Sequence, residues 1–241
     1  MKIKPVTFKL ILMLFLEFAV WGAYLTSLGR YLGNIGLGPQ IKWFFAMQGI
    51  VSIFMPTLMG IVADKWIPAQ KVLSLCHGLA GLFMLGAGLY ARSAGAAVQF
   101  GPLFTLYSLS LAFFMPTIAI SNSVAFNALS KAGKDPVKAF PPIRVFGTIG
   151  FICSMLVTNF LVIDGKAMQE SYTQLLSSGI LSLVLCGYAL TMPDCPVNKG
   201  KGGSLAEAFG LKAFSLFKQG QFAIFFIRSS SFMSLIRSIS P

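Results

Sequence analysis

Two triplets of side chains have the spacing and chemistry of a ligand site. Glu17, Trp21 and Tyr24 are spaced i, i+4, i+7, and so are Arg144, Thr148 and Phe151. On a helix each triplet forms one stripe. The second stripe presents a cation, a hydroxyl and an aromatic ring. That set suits a polar ligand with a flat ring, its hydroxyls hydrogen-bonded and its ring stacked. Arg144 has an equal alternative use, as an arginine snorkelling to a membrane interface. An acid inside an apolar run is costly and faces a cavity or a partner, so Glu17 is either a proton carrier or a carboxyl held by hydrogen bonds between helices. His77, the single histidine, can relay a proton or, beside Gly78 and Gly81, pack as a satisfied core residue.

The elements that carry these residues must be membrane helices. Of 241 residues, 56% are hydrophobic and 11% charged, against about 25% charged in a soluble domain. With a mean hydropathy of +0.77, the solvent for most of the chain is lipid. At roughly 20 residues per span the length allows six or seven transmembrane helices, and not twelve. Apolar runs at residues 10–32, 43–63, 72–91, 100–126, 143–163 and 172–192 predict six spans. Pro141-Pro142 is expected to open the fifth, where proline loses no intrahelical bond. Phe54-Met55-Pro56-Thr57 recurs as Phe114-Met115-Pro116-Thr117, and each proline predicts a kink. Asn122 and Asn127 either line a cavity or bond between helices.

Orientation follows from the basic residues. With the N-terminus inside, the inner set is Lys2, Lys4, Lys9, Lys65, Lys71, Lys131, Lys134, Lys138, Arg144, Lys199, Lys201, Lys212 and Lys218; the outer set is Arg30, Lys42, Arg92 and Lys166. This asymmetry predicts a cytoplasmic N-terminus. The net charge of +12 is accordingly read as loop charge facing an anionic membrane surface, with no nucleic-acid partner. Residues 193–221 are expected to form a cytoplasmic loop with an amphipathic stretch at 205–217. Residues 222–241 start a seventh helix too short to cross. This reads as a larger transporter cut off or out of frame, with a short interfacial tail as the alternative. Cys76, Cys153, Cys186 and Cys195 lack CxxC spacing, so free thiols and no metal are expected. No cleavable signal sequence is expected.

Between spans two and three, Gly60-Ile61-Val62-Ala63-Asp64-Lys65-Trp66 resembles the cytoplasmic loop motif of the major facilitator superfamily, Gly60, Asp64 and Lys65 standing at its matching positions. Its later glycine and arginines are replaced by Pro68, Ala69 and Gln70. Together with Phe140-Pro141-Pro142-Ile143-Arg144-Val145-Phe146-Gly147-Thr148-Ile149-Gly150-Phe151, Cys76-His77 and Trp21-Gly22, the chain is similar to the nucleoside:proton symporters of that superfamily. The resemblance implies an all-α membrane protein whose residues 1–192 form the six-helix N-terminal half of a major facilitator fold, in a bacterial inner membrane. It implies nucleoside as substrate, the proton as coupling ion with no other cofactor, and a C-terminal half as partner. Arg144, Thr148, Phe151, Trp21 and Tyr24 are then substrate-binding candidates, and Glu17 and His77 proton-coupling candidates. An enzyme is not expected, because the seven acids are scattered and one histidine is available. No phosphate-binding Gly-x-x-x-x-Gly-Lys-Ser/Thr occurs, so a transporter here is secondary. The competing readings are a non-transporting membrane fragment and a transporter for another small polar solute.

Overall fold

Long apolar runs in lipid must satisfy their own backbone hydrogen bonds, so they coil. The structure, a computed structural model, describes residues 5–163 and 165–197. Its helices are α1 (Pro5–Gly22), α2 (Leu28–Asn34), α3 (Ile41–Lys65), α4 (Ala69–Ala94), α5 (Phe100–Lys131), α6 (Pro136–Phe160) and α7 (Thr173–Ala189). Apart from α2 and α7, each is long and apolar enough to cross a membrane; α7 is a shorter apolar helix of 17 residues. These helices answer to the six expected spans. The expected loop at 198–221 and the seventh-helix start at 222–241 lie outside the described residues.

Three details differ from the sequence reading. The first span is divided: α1 stops at Gly22 and α2 resumes at Leu28. The carbonyls near the break are taken by other helices, Val20 O by the Ser178 hydroxyl at 2.9 Å and Ala23 O by the Thr158 hydroxyl at 3.0 Å. The fifth span opens earlier than the Pro141-Pro142 pair. Asp135 caps its start by accepting from Val137 N at 3.0 Å, and Pro136 occupies the first turn. Pro141 and Pro142 therefore lie inside α6, where each removes an i→i−4 bond. Between α6 and α7 a small hairpin pairs β1 (Val162–Ile163) with β2 (Lys166–Ala167); its two-residue strands are too short to leave a period-2 signal.

Helices pack chiefly as α1 on α6, α4 between α5 and α7, and α3 on α5. The α1–α6 crossing is backbone on backbone. A methyl group on Gly22 would meet the carbonyl oxygen of Phe151, and one on Gly150 that of Phe15. Small residues thus set the approach, as they do wherever membrane helices touch closely.

Two apolar clusters fill the interior. One is built around Tyr24, Leu28, Leu103, Tyr107 and Leu111, the other around Leu10, Leu14, Leu73, Val124 and Leu129. Along α1, α4, α5 and α7 the change from one cluster to the other brackets a buried polar residue: Glu17, His77, Thr117 and Ser182. The bundle therefore carries one polar layer at mid-height. By contrast α3 and α6 are thinly covered. Within α3 only Phe44, Val51 and Ala63 are buried, and Trp43, Ile50, Ile53 and Phe54 stand exposed.

Candidate functional site

The polar layer closes around one carboxyl and one imidazole. Glu17 and His77 are both fully buried, with Glu17 Oε2 2.9 Å from His77 Nε2. His77 Nδ1 lies 3.0 Å from Ser182 Oγ, and that hydroxyl donates to the His77 carbonyl at 2.9 Å. With the serine proton directed at the carbonyl, Nδ1 is the donor to Oγ; with it directed at Nδ1, that nitrogen accepts. In the first case the Glu17–His77 contact holds a single proton, either on a carboxyl donating to neutral Nε2 or on an imidazolium donating to a carboxylate. Both arrangements carry no net charge, which is what a dry interior tolerates. Thr117 Oγ1 is 2.6 Å from Glu17 Oε1 and 2.5 Å from Phe114 O, and its one proton serves either acceptor.

From this layer a chain of aromatic rings leads to α6. Phe114 touches the His77 ring at 5.9 Å and the Trp21 ring at 6.3 Å. Trp21 meets Phe151 edge to face at 6.2 Å and Phe18 at 6.3 Å. The guanidinium of Arg144 rests over the Phe18 ring at 3.9 Å, close enough for a cation–π contact. Arg144 and Phe151 are half-buried and Thr148 is exposed. The two sequence stripes thus come together at Trp21, Phe18, Phe151 and Arg144, one helical turn from the Glu17 carboxyl.

Tyr24 stands apart from them. Because α1 ends at Gly22, Tyr24 leaves the stripe and packs edge to face on Tyr107 at 5.9 Å, in the closed apolar cluster. The loop motif is also unlinked. Asp64 and Lys65 are exposed, and among the described residues neither forms an ion pair or side-chain hydrogen bond. Among the described residues a methyl group on Gly60 would meet nothing within 4 Å, so none of the described helices approaches closely there. The bonds at that end come from other residues. Gln70 Nε2 donates to Asp194 Oδ1 at 2.8 Å, Cys195 N donates to Gln70 Oε1 at 2.9 Å, and Lys131 Nζ donates to Asp194 O.

Thr117 and Ser182 went unmarked in the sequence reading. Thr117 closes the repeated Phe-Met-Pro-Thr segment, a usable signal; Ser182 sits among the serines of α7 with none. Of the two asparagines, Asn127 bonds back to Ser123 O of its own helix at 3.0 Å, while Asn122 lines an open cleft beside Trp21. Among the described residues no group of three or more metal-ligating side chains occurs.

Six apolar spans around a buried polar layer, with a cation–aromatic face on one side, define an integral membrane protein built as one half of a major facilitator transporter. Residues 2–239 match the nucleoside H+ symporter family, and the chain belongs to it. It is 41% identical over 225 residues to xanthosine permease of Escherichia coli K12, covering 92% of this chain and 51% of that protein. It is 36% identical over 219 residues to nucleoside permease NupG of the same organism, covering 89% of this chain and 49% of that protein. A crystal structure of nucleoside transporter NupG superimposes with a TM-score of 0.73 at 33% identity, over 93% of this chain and 53% of that one. The chain therefore spans about half the length of the curated relatives it matches. Those relatives are permeases, not enzymes.

Proposed function

We propose that the chain supplies the N-terminal half of a proton-coupled nucleoside importer of a bacterial inner membrane, with its N-terminus cytoplasmic. In this reading Arg144 and Thr148 hydrogen-bond ribose hydroxyls, Phe151 stacks the base, and Trp21 stands between that face and the Glu17–His77 pair, which holds the coupling proton. The proton is the one ion needed, and a C-terminal half and the bilayer are the partners. One observation carries the reading: a buried pair holding a single proton lies one helical turn from a face equipped for a flat polar ligand. Protonation there changes the charge next to the ring that borders the ligand, which is the differential contact coupled transport needs. The names of the relatives supply the nucleoside. The exposed apolar flanks of α3 and α6 support a second half docking there, since alternating access works one half against the other.

The test is uptake of labelled uridine in cells that express the chain together with the C-terminal half of a full-length relative. Uptake should appear with both halves and be absent with the 241 residues alone. Arg144→Ala and Thr148→Ala should weaken nucleoside binding by about 1–3 kcal/mol each, as for lost hydrogen bonds in a desolvated site. Glu17→Gln should flatten the pH dependence of uptake while insertion is spared. A pH profile of unchanged shape would make Glu17 a structural hydrogen-bonder, and unchanged affinity in Arg144→Ala would return that arginine to the interface.

A further inference from the structure

Beside Trp21 an open cleft of about 330 Å3 lies between α1, α3 and α5, lined by Trp21, Gln48, Pro56, Met115, Ile118 and Asn122 among others. Among the described residues, three of those hold a buried polar atom with no hydrogen-bond partner: Trp21 Nε1, Gln48 Oε1 and Asn122 Oδ1. A buried polar atom left unpaired costs about 1–3 kcal/mol. Three of them on one cleft is a concentration that stability alone does not explain. The orphan hydroxyls of Tyr24 and Tyr107 differ, because those two rings close on each other in the apolar cluster. Here the unpaired atoms border open space.

Their chemistry specifies what would satisfy them. The indole N–H of Trp21 can only donate, so the ligand must bring an acceptor. The two amide oxygens can only accept, so it must also bring N–H or O–H donors. Among the described residues no acidic or basic side chain lines the cleft, which selects an uncharged group. Pro56, Met115 and Ile118 make the walls apolar. Apolar walls with a polar rim suit a flat ring whose hydrogen-bonding groups sit on its edge; a sugar, with hydroxyls all round, fits them poorly. Trp21 is also the residue that touches Phe151.

We propose that Trp21, Gln48 and Asn122 form a subsite that reads the polar edge of the nucleobase, favouring a base that carries a lactam, a C=O beside an N–H. The proposal rests on the nucleoside reading above and adds to it the residues that set base preference. Arg144 and Thr148 hold the ribose in this arrangement, and the amide pair judges the base.

The experiment is ligand-observed NMR titration of the chain, coexpressed with the C-terminal half of a full-length relative and reconstituted with it in lipid nanodiscs, with two probes: uridine, and the benzene C-nucleoside, which keeps ribose and a flat ring but lacks the polar edge. The chain should bind uridine at least about tenfold more tightly than the benzene analogue. Gln48→Leu and Asn122→Leu should each weaken uridine about tenfold and leave the benzene analogue within about twofold, so the preference collapses while retained analogue binding shows the fold intact. Retained preference in both variants, equal loss of both ligands, or no preference in the unmodified chain would overturn the subsite and leave the nucleoside reading standing. If the unmodified chain binds neither probe, the nucleoside reading falls and the subsite with it.

Discussion

Removing His77 while keeping Glu17 strands a carboxyl in the dry centre of the bundle. In the intact layer Glu17 Oε2 faces His77 Nε2 at 2.9 Å and Oε1 faces the Thr117 hydroxyl at 2.6 Å. His77→Leu leaves the threonine contact and deletes the imidazole. Breaking a fully buried pair from one side costs about 3–5 kcal/mol when the survivor is charged, and about 1–3 kcal/mol when it is neutral but unpaired. Glu17→Leu strands only the neutral Nε2, because Thr117 can turn to Phe114 O at 2.5 Å. Its cost is therefore about 1–3 kcal/mol. Glu17→Gln should cost less than about 1 kcal/mol, since the amide accepts from Thr117 and donates to Nε2. The double variant Glu17→Leu/His77→Leu removes both partners together, and replacing a buried pair by apolar groups is often close to neutral. Its stability should exceed that of His77→Leu alone. Unfolding of the unmodified chain and the four variants in mixed micelles with increasing dodecyl sulfate, the leucine variants analysed as a double-mutant cycle, measures the coupling. A double variant whose loss equals the sum of the single losses would refute the shared-proton pair, and so would a Glu17→Gln loss as large as that of Glu17→Leu.

Further outcomes are expected elsewhere in the fold. Gly150→Leu drives a side chain into the Phe15 carbonyl and should cost at least about 2 kcal/mol in the same unfolding assay. Gly33→Ala, with nothing within 4 Å of the added methyl, should be neutral or stabilising by up to about 1 kcal/mol. Burial pushes the Cys195 thiol above its ordinary value, and the Gln70 and Lys131 contacts draw it only part of the way back. Less thiolate is then present at any given pH below that value, so maleimide labelling of Cys195 should be slow at neutral pH and rise as pH climbs. Equal rates in folded and unfolded chain would contradict this. For orientation, impermeant thiol reagents applied from outside should label cysteines placed at Gly38 and Gly95 and miss those at Gly133 and Gly200; the reverse pattern would invert the topology.

Hydropathy and punctuation made the spans legible. Long apolar runs between polar or glycine-rich breaks located the long apolar helices among the described residues, because burial in lipid leaves a composition signal about twenty residues long. What escaped was anything decided by contacts between helices. The break after Gly22 lies inside an unbroken apolar run, and the backbone packed against it is that of Phe151, more than a hundred positions later. Tyr24 consequently left the stripe that spacing assigned to it. Glu17 and His77 were visible singly as costly residues, whereas their pairing, and the roles of Thr117 and Ser182, depend on four helices meeting at one height. Gln48 shows the same limit, since a glutamine in an apolar helix carries no mark of the cleft it faces.

The divided first span has a consequence for how the chain is made. Glu17 enters the membrane with no partner, and the imidazole that pairs with it arrives 60 residues later. The open carbonyls at the end of α1 wait longer, Ala23 O for a hydroxyl 135 positions on and Val20 O for one 158 positions on. Until then these groups need water or the insertion machinery as a stand-in. The first helix synthesised is thus among the last to reach its final shape, and a ribosome that stops after α5 releases a product whose opening segment still lacks those bonds.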